Sequence, residues 1–163
     1  MKIEDQLKSF IKRLPESYHF YDVFKPDSEG DVDCSGNQLT SLKGAPKEVG
    51  RHFDCSFNDL TSLEGAPKEV GGEFYCRNNE LTSLKGAPKE VGGGFYCHYN
   101  KLTSLEGAPQ EVRGDFYCST NKLTSLEGAP KEVEGEFSCR NNTKQFTEED
   151  VRAVCNVKGK IIV

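Results

Sequence analysis

A segment of 21 residues recurs along this chain and constrains its fold more than any other feature. Units that begin at Phe53, Phe74, Phe95 and Phe116 share the pattern F-x-C-x-x-N-x-L-T-S-L-x-G-A-P-x-E-V. A unit at Val32 fits with one change, and a truncated unit opens at position 137. A period between 20 and 29 residues indicates a solenoid, in which each unit buries its apolar side against its neighbours. We therefore predict six stacked coils over residues 31–142.

The spacing of apolar residues within a unit predicts the path of each coil. Phe and Cys alternate with polar positions at a period of two, which favours a short β-strand, and the Asn three residues after each Cys marks a bend. Leucines three residues apart, such as Leu102 and Leu105, return to the core. The following Gly107-Ala108-Pro109 prevents a helix, so we expect the outer side to be extended.

These units resemble the short leucine-rich repeat of secreted bacterial effectors. The repeat here is one residue longer and has Glu106, Gly107 and Ala108 where the effectors carry Pro and Leu. The resemblance covers residues 31–142 and implies a leucine-rich-repeat horseshoe with short parallel strands on the concave face and an extended convex side. The amino-acid sequence of the repeat, together with the segment from Phe146 to Val163, also resembles uncharacterised repeat proteins of tailed bacteriophages.

Both ends of a solenoid leave apolar surface open, and the flanking segments have the composition of caps. We predict an N-terminal cap over residues 1–30, with an amphipathic helix at about 2–14 that Pro15 closes and a possible strand at 18–24. We predict a C-terminal cap over 143–163, with Thr147 capping a helix at about 148–155 and a strand at 160–163. Caps and coils together form one domain.

Charge and hydropathy exclude several classes of function. A net charge of -5 argues against general affinity for nucleic acid or anionic membranes, both of which require a basic excess. No apolar run approaches the roughly 20 residues that span a bilayer, and the residues after Met1 lack the apolar core of a secretion signal. We therefore expect a cytoplasmic protein without membrane attachment, located in the host cell if it is phage-encoded.

The seven cysteines admit two interpretations, a metal site or a buried ladder. Six of them recur every 21 residues, and Cys155 stands apart. Metal sites place cysteine pairs two to four residues apart, so we predict that the ladder packs as small apolar side chains and that no metal or cofactor is bound. The asparagines at 37, 58, 79, 100, 121 and 142 form a similar ladder, which we expect to satisfy backbone groups in the bends.

The residues that the repeat does not require are the candidates for function. The outward strand column reads Asp33, Asp54, Tyr75, Tyr96, Tyr117 and Ser138. The column after Cys reads Ser35, Ser56, Arg77, His98, Ser119 and Arg140, and the column before Phe reads Asp31, His52, Glu73, Gly94, Asp115 and Glu136. An aromatic centre with a charged rim is typical of an interface. The predicted contact residues are Tyr75, Tyr96, Tyr117, Arg77, His98, Asp54 and Arg140, and Phe57 and Tyr99 extend the surface at the bend.

The sequence predicts a non-enzymatic module that binds a protein on its concave face, with a basic element of the partner near the acidic first coils. Through the phage resemblance, one concrete form is inhibition of a host antiviral-defence protein. The alternatives are a structural or self-associating virion component, and single-stranded nucleic-acid binding by the stacked tyrosines. An enzyme would rely on His98 with Asp115 or Cys155, although nothing in the sequence fixes their geometry. No small-molecule substrate is expected.

Overall fold

The computed structural model describes residues 30–163, which form a parallel β-solenoid of about six turns. The predicted N-terminal cap, with its helix at about 2–14 and strand at 18–24, lies outside the described residues. Strands alternate along the chain between two parallel sheets, so each turn contributes one strand to each sheet. The period of about 21 residues predicted from the sequence is therefore the length of one turn.

Within the described residues the first sheet has seven strands, each two residues long. They are β1 (Val32–Asp33), β3 (Phe53–Asp54), β5 (Phe74–Tyr75), β7 (Phe95–Tyr96), β9 (Phe116–Tyr117), β11 (Phe137–Ser138) and β13 (Ile161–Ile162). The phenylalanines of β3, β5, β7, β9 and β11 point inward, and neighbouring rings contact each other with centroids 5.2 to 5.7 Å apart. The predicted alternation of buried and outward residues is confirmed in these strands except β11, where Ser138 is also buried.

The second sheet was not predicted, because that side of the coil was expected to be merely extended. Its six strands are β2 (Glu48–Val49), β4 (Glu69–Val70), β6 (Glu90–Val91), β8 (Glu111–Val112), β10 (Glu132–Val133) and β12 (Asn156–Val157). The constant repeat length places each extended Glu-Val pair beside the next one, so their backbones hydrogen-bond as a parallel ladder. Each valine points inward and each glutamate points to solvent.

The core lies between the two sheets and consists of repeated layers of Phe, Cys, Leu and Val. The six ladder cysteines and Cys155 are buried and carry free thiols, as predicted. Burial raises the pKa of Cys97 well above its usual value, which keeps this thiol protonated. No cluster of three or more metal-ligating side chains occurs among residues 30–163.

From Asn58 onward, each asparagine of the ladder links its coil to the preceding one. Asn100 is buried, its Oδ1 accepts a hydrogen bond from the Leu81 amide at 3.0 Å, and its Nδ2 donates to the carbonyls of Cys76 and Cys97 at 3.0 and 3.1 Å. Asn79 and Asn121 repeat this pattern. The predicted structural role of the ladder is confirmed, because the amides satisfy backbone groups that the bends would otherwise leave unpaired.

The last segment contains α1 (Glu148–Arg152), whose capping box joins Thr147 and Asp150. The helix ends at Arg152 rather than at 155, and Val154, within the predicted helix, is 37% exposed. Beyond α1 the chain rejoins the solenoid, since β12 pairs with β10 in the second sheet and β13 pairs with β11 in the first. Within residues 30–163, no helix has the length and apolar character that crossing a bilayer requires.

Candidate functional site

The outward residues of the first sheet lie in one register, as the sequence predicts. Asp33 pairs with Asp54, Asp54 with Tyr75, Tyr75 with Tyr96, and Tyr96 with Tyr117, all in parallel neighbouring strands. Neighbouring strands are about 4.8 Å apart, so the three tyrosines form a continuous stripe. We call the outward residues of this sheet, with the columns on either side, the tyrosine face.

The tyrosine rings contact one another in two ways. Tyr75 and Tyr96 stack with centroids 4.7 Å apart and an interplanar angle of 11°, whereas Tyr96 and Tyr117 meet edge to face at 5.3 Å and 86°. Both hydroxyls of the stacked pair donate to the carboxylate of Glu73, that of Tyr96 over 3.2 Å. Glu73 was not among the predicted contact residues, although its position two residues before Tyr75 places it on the same face of the strand.

The phenols of the stripe stay protonated because burial and acidic neighbours raise their pKa values. Burial raises the pKa of Tyr75 and Tyr96 above the usual value of 10, and Glu73 raises it further in both. For Tyr117 a hydrogen bond with Glu136 is the first cause, followed by burial, and its pKa rises to about 12. The tyrosine face therefore presents rings and neutral hydroxyls above a row of carboxylates.

Gly94 makes the close packing of Tyr96 possible. Other coils carry Asp, His or Glu in the column before Phe, but a Cβ atom on Gly94 would lie 2.6 Å from the Tyr96 hydroxyl and 2.7 Å from two ring carbons. Non-bonded carbons normally stay at least 3.5 Å apart, so the missing side chain leaves the space that the ring fills. A glycine that interrupts a column of polar residues is the sequence signal that could have identified this packing.

The column after Cys forms the other side of the tyrosine face. Ser56 is fully buried, and Arg77 and His98 follow it on the next two coils. The Arg77 guanidinium carbon lies 5.4 Å from the centroid of the Phe57 ring, and the His98 ring lies 5.6 Å from Tyr99. Burial, followed by the charge of Arg77, lowers the pKa of His98 below 6.5, so its imidazole is neutral at pH 7.

Two predicted contact residues are placed differently from the rest. Asp54 is only partly exposed, and its Oδ1 accepts a hydrogen bond from the Ser56 amide at 2.8 Å, so this carboxylate also fixes the local turn. Arg140 is exposed and lies three coils from Arg77 in the same column. The serine hydroxyls of Ser119 and Ser138 hydrogen-bond to each other at 2.7 Å beside it. Arg140 therefore lies at one end of the face, away from Arg77.

The residues considered for catalysis are not joined in the part of the chain that the structure describes. His98 contacts the rings of Tyr96, Tyr99 and Tyr117. Asp115 accepts a hydrogen bond from the Glu136 amide at 2.7 Å, and Cys155 is buried, with its pKa raised by burial to about 11. No hydrogen bond or ion pair within residues 30–163 links His98 to either of these side chains.

A groove of about 930 Å³ runs along the second sheet, a feature that sequence reasoning missed. Its lining includes Glu48, Glu69, Glu90 and Glu111 together with the backbone of Gly50 and Gly71. Small-molecule pockets are mostly apolar with a few polar groups, whereas this groove displays one carboxylate per coil. None of its lining residues within 30–163 is aromatic, so this described part of the groove lacks the side chains that usually dominate binding energy at protein interfaces.

Comparisons of the chain with protein-family models, with curated proteins and with solved structures found no match. What the tyrosine face does must therefore be inferred from its residues.

Proposed function

We propose that this chain is a non-enzymatic protein-binding module whose partner docks on the tyrosine face. The observation that carries this proposal is the stripe of Tyr75, Tyr96 and Tyr117, whose partly exposed rings lie on consecutive strands. Tyrosine is enriched among residues that dominate binding energy, because a rigid ring covers a large area and keeps a hydroxyl for hydrogen bonding. Contacts between the rings hold the stripe in place before a partner arrives.

The charges of the face favour a partner with a basic element at the first coils. Asp33, Asp54 and Glu73 lie on three consecutive coils beside or below the start of the stripe. A lysine or arginine of the partner placed there gains both charge attraction and contact with a tyrosine ring. Rim charges of this kind chiefly accelerate association and orient the partner.

We further propose that the solenoid is a leucine-rich-repeat horseshoe with the tyrosine face on its concave side. Its ends would be covered by capping segments. The burial of Val151 of α1 and of Phe146 just before it is consistent with a cap at the C-terminal end of the coils. The phage resemblance supports one specific role, in which the module binds and inhibits a host antiviral-defence protein in the host cytoplasm.

Affinity capture with matched variants tests the proposed function. The wild type, a Tyr75→Ala/Tyr96→Ala/Tyr117→Ala variant and a Glu48→Ala/Glu69→Ala/Glu90→Ala variant are immobilised, incubated with host-cell lysate and analysed by mass spectrometry. The second variant changes the same number of residues on the other sheet. We expect a partner that the wild type and the glutamate variant retain and that the tyrosine variant loses by at least tenfold, since several contact residues worth about 1 kcal/mol or more each are removed.

Urea unfolding of both variants must remain cooperative for this result to count. A partner that still binds the tyrosine variant would place the site elsewhere, and loss in the glutamate variant alone would move it to the groove of the second sheet. Absence of any captured protein, combined with self-association in analytical ultracentrifugation, would favour a structural component instead.

A further inference from the structure

Three polar atoms on the tyrosine face are buried without a hydrogen-bond partner. Among residues 30–163 these atoms are Ser56 Oγ, Arg77 Nε and His98 Nδ1. All three residues belong to the column after Cys and lie on consecutive coils. Backbone hydrogen bonds hold these coils side by side. The Phe57 amide donates to the Arg77 carbonyl at 3.1 Å, and the Asn78 amide donates to the His98 carbonyl at 3.2 Å. Buried polar groups are nearly always paired, so this row is a part of the face with unused hydrogen-bonding capacity.

The chemistry of these atoms defines what a docking partner must offer. A serine hydroxyl donates one hydrogen bond, the Nε–H of arginine donates another, and Nδ1 of histidine donates when it carries the proton. Ser56 is fully buried, so neither bulk water nor a docking side chain reaches its hydroxyl directly, whereas the side chains of Arg77 and His98 are partly exposed. Arg77 adds a permanent positive charge on a face that otherwise carries Asp54 and Glu73 nearby. A row of donors with one cation suits an anionic oxygen ligand.

Two exposed aromatic side chains flank this row. Phe57 and Tyr99 are 55% and 56% exposed, and each occupies the left-handed backbone region with φ of 55°. The corresponding residues of other coils include Asn78 and Asn141, which tolerate this conformation better than a bulky aromatic residue does. Large aromatic residues at positions that disfavour them, with more than half their surface in water, point to a use outside the fold. Phe57 packs against the Arg77 guanidinium, and Tyr99 packs against His98.

We propose that the partly exposed side chains of Arg77 and His98 form a subsite for a carboxylate of the partner protein, with Phe57 and Tyr99 at its sides and Ser56 buried beside it. The subsite rests on the proposed function, since it supplies the acid-binding part of the same face. The subsite binds an acidic side chain, whereas the acidic rim at Asp33, Asp54 and Glu73 binds a basic one. The partner segment therefore carries an acidic side chain for the subsite and a basic side chain for the rim. A carboxylate is favoured over phosphate because a single permanent cation beside acidic residues balances one negative charge better than two.

Side-chain NMR of the isolated protein tests the subsite without the partner. Acetate and inorganic phosphate are titrated separately at pH 7 and constant ionic strength set with chloride, while the Nε–Hε signal of arginine and the imidazole nitrogens of histidine are observed. We expect saturable shifts of Arg77 and His98 with acetate, at a Kd of about 10 mM or lower, which is ordinary for one charged contact. Arg140, in the same column without a buried unpaired atom, is the internal control and should shift only linearly.

An Arg77→Gln variant should weaken acetate binding at His98 by about tenfold, the loss expected for one charge-assisted hydrogen bond. Equal, unsaturable responses of Arg77 and Arg140 would overturn the subsite, and saturation by phosphate alone would overturn its assignment to a carboxylate. These outcomes are independent of the lysate capture. If acetate fails to bind while the tyrosine variant still loses its partner, the subsite is wrong and the proposed function stands. If acetate binds at Arg77 while the tyrosine variant keeps its partner, the subsite is supported and the docking of that partner on the tyrosine stripe is overturned.

Discussion

The two sheets of this solenoid are built on the same spacing but differ in what they present to solvent. In both, the inward residue is nearly constant, phenylalanine in the first sheet and valine in the second. The outward residue of the second sheet is glutamate in each of the strands β2, β4, β6, β8 and β10. The outward residue of the first sheet changes from Asp to Tyr to Ser along the coils. Packing in the core restricts which residues can occupy the inward positions. The difference between the two sheets in their outward residues must therefore have another cause.

The glutamate ladder shows that repetition alone does not identify a useful residue. Like charges paired in register across neighbouring strands destabilise a sheet, yet Glu48, Glu69 and Glu90 are paired in this way. The recurrence of these glutamates therefore does not by itself show that the fold or a partner uses them. By the same reasoning, departures from the repeat carry more information than the repeat does. The tyrosine face holds several of them, including Gly94, Arg77 and His98.

Two adjacent residues of β7 allow the contributions of an inward and an outward position to stability to be compared directly. Phe95→Ala removes a fully buried ring that stacks on two neighbours, and we expect it to lower the free energy of unfolding by about 4 kcal/mol. Tyr96→Ala removes a partly exposed ring, and a loss of about 1 kcal/mol is expected from its aromatic contacts. Urea unfolding followed by circular dichroism measures both values. Equal losses would mean that the tyrosine stripe is part of the core.

The asparagine ladder allows the same comparison within one structural column. Asn100→Ala leaves the Leu81 amide and two cysteine carbonyls without their side-chain partner in a buried bend, so we expect a loss of about 3 kcal/mol. Asn37→Ala is the matched control. Among residues 30–163, its side chain donates only to the Ser35 carbonyl and is exposed, so a loss below about 1 kcal/mol is expected. Similar losses from both variants, again in urea, would show that the ladder bonds do not hold the coils together.

Most of the coil could be predicted from the sequence, because its period, its alternating apolar residues and its buried asparagines are local patterns that every unit repeats. The second sheet could not, since two residues such as Glu69 and Val70 carry no periodic signal of a strand. Their pairing depends on how far each coil has advanced along the solenoid axis when the chain reaches the Glu-Val pair. The helix end was missed for a related reason. The chain must rejoin both sheets at β12 and β13, which ends α1 before Val154 can be buried.

The tyrosine stripe could be predicted from register alone, but its supporting contacts could not. A column of side chains one repeat apart is fixed once the strand is placed, so Tyr75, Tyr96 and Tyr117 had to be neighbours. The space around each ring decides whether two neighbouring tyrosines stack face to face or meet edge to face. That space is set by Gly94 and by the reach of Glu73 across to the next coil. Likewise, nothing in the sequence showed that Ser56 would be fully buried.

The smallest expected effect concerns the second sheet and has the opposite sign. Glu69 is exposed and pairs in register with Glu48 on one side and Glu90 on the other. Glu69→Lys replaces two like-charge neighbours with two opposite-charge ones, so we expect the free energy of unfolding to rise by about 0.5 kcal/mol at low salt. The gain should disappear in about 1 M NaCl, where the screening length is about 3 Å. Glu69→Gln separates relief of repulsion from new attraction and should give about half the gain. A loss of stability in both variants, measured by urea unfolding, would show that the fold needs the glutamates. The constant glutamate column would then be structural, and its contrast with the varied column of the tyrosine face would no longer separate residues of the fold from residues of a binding site.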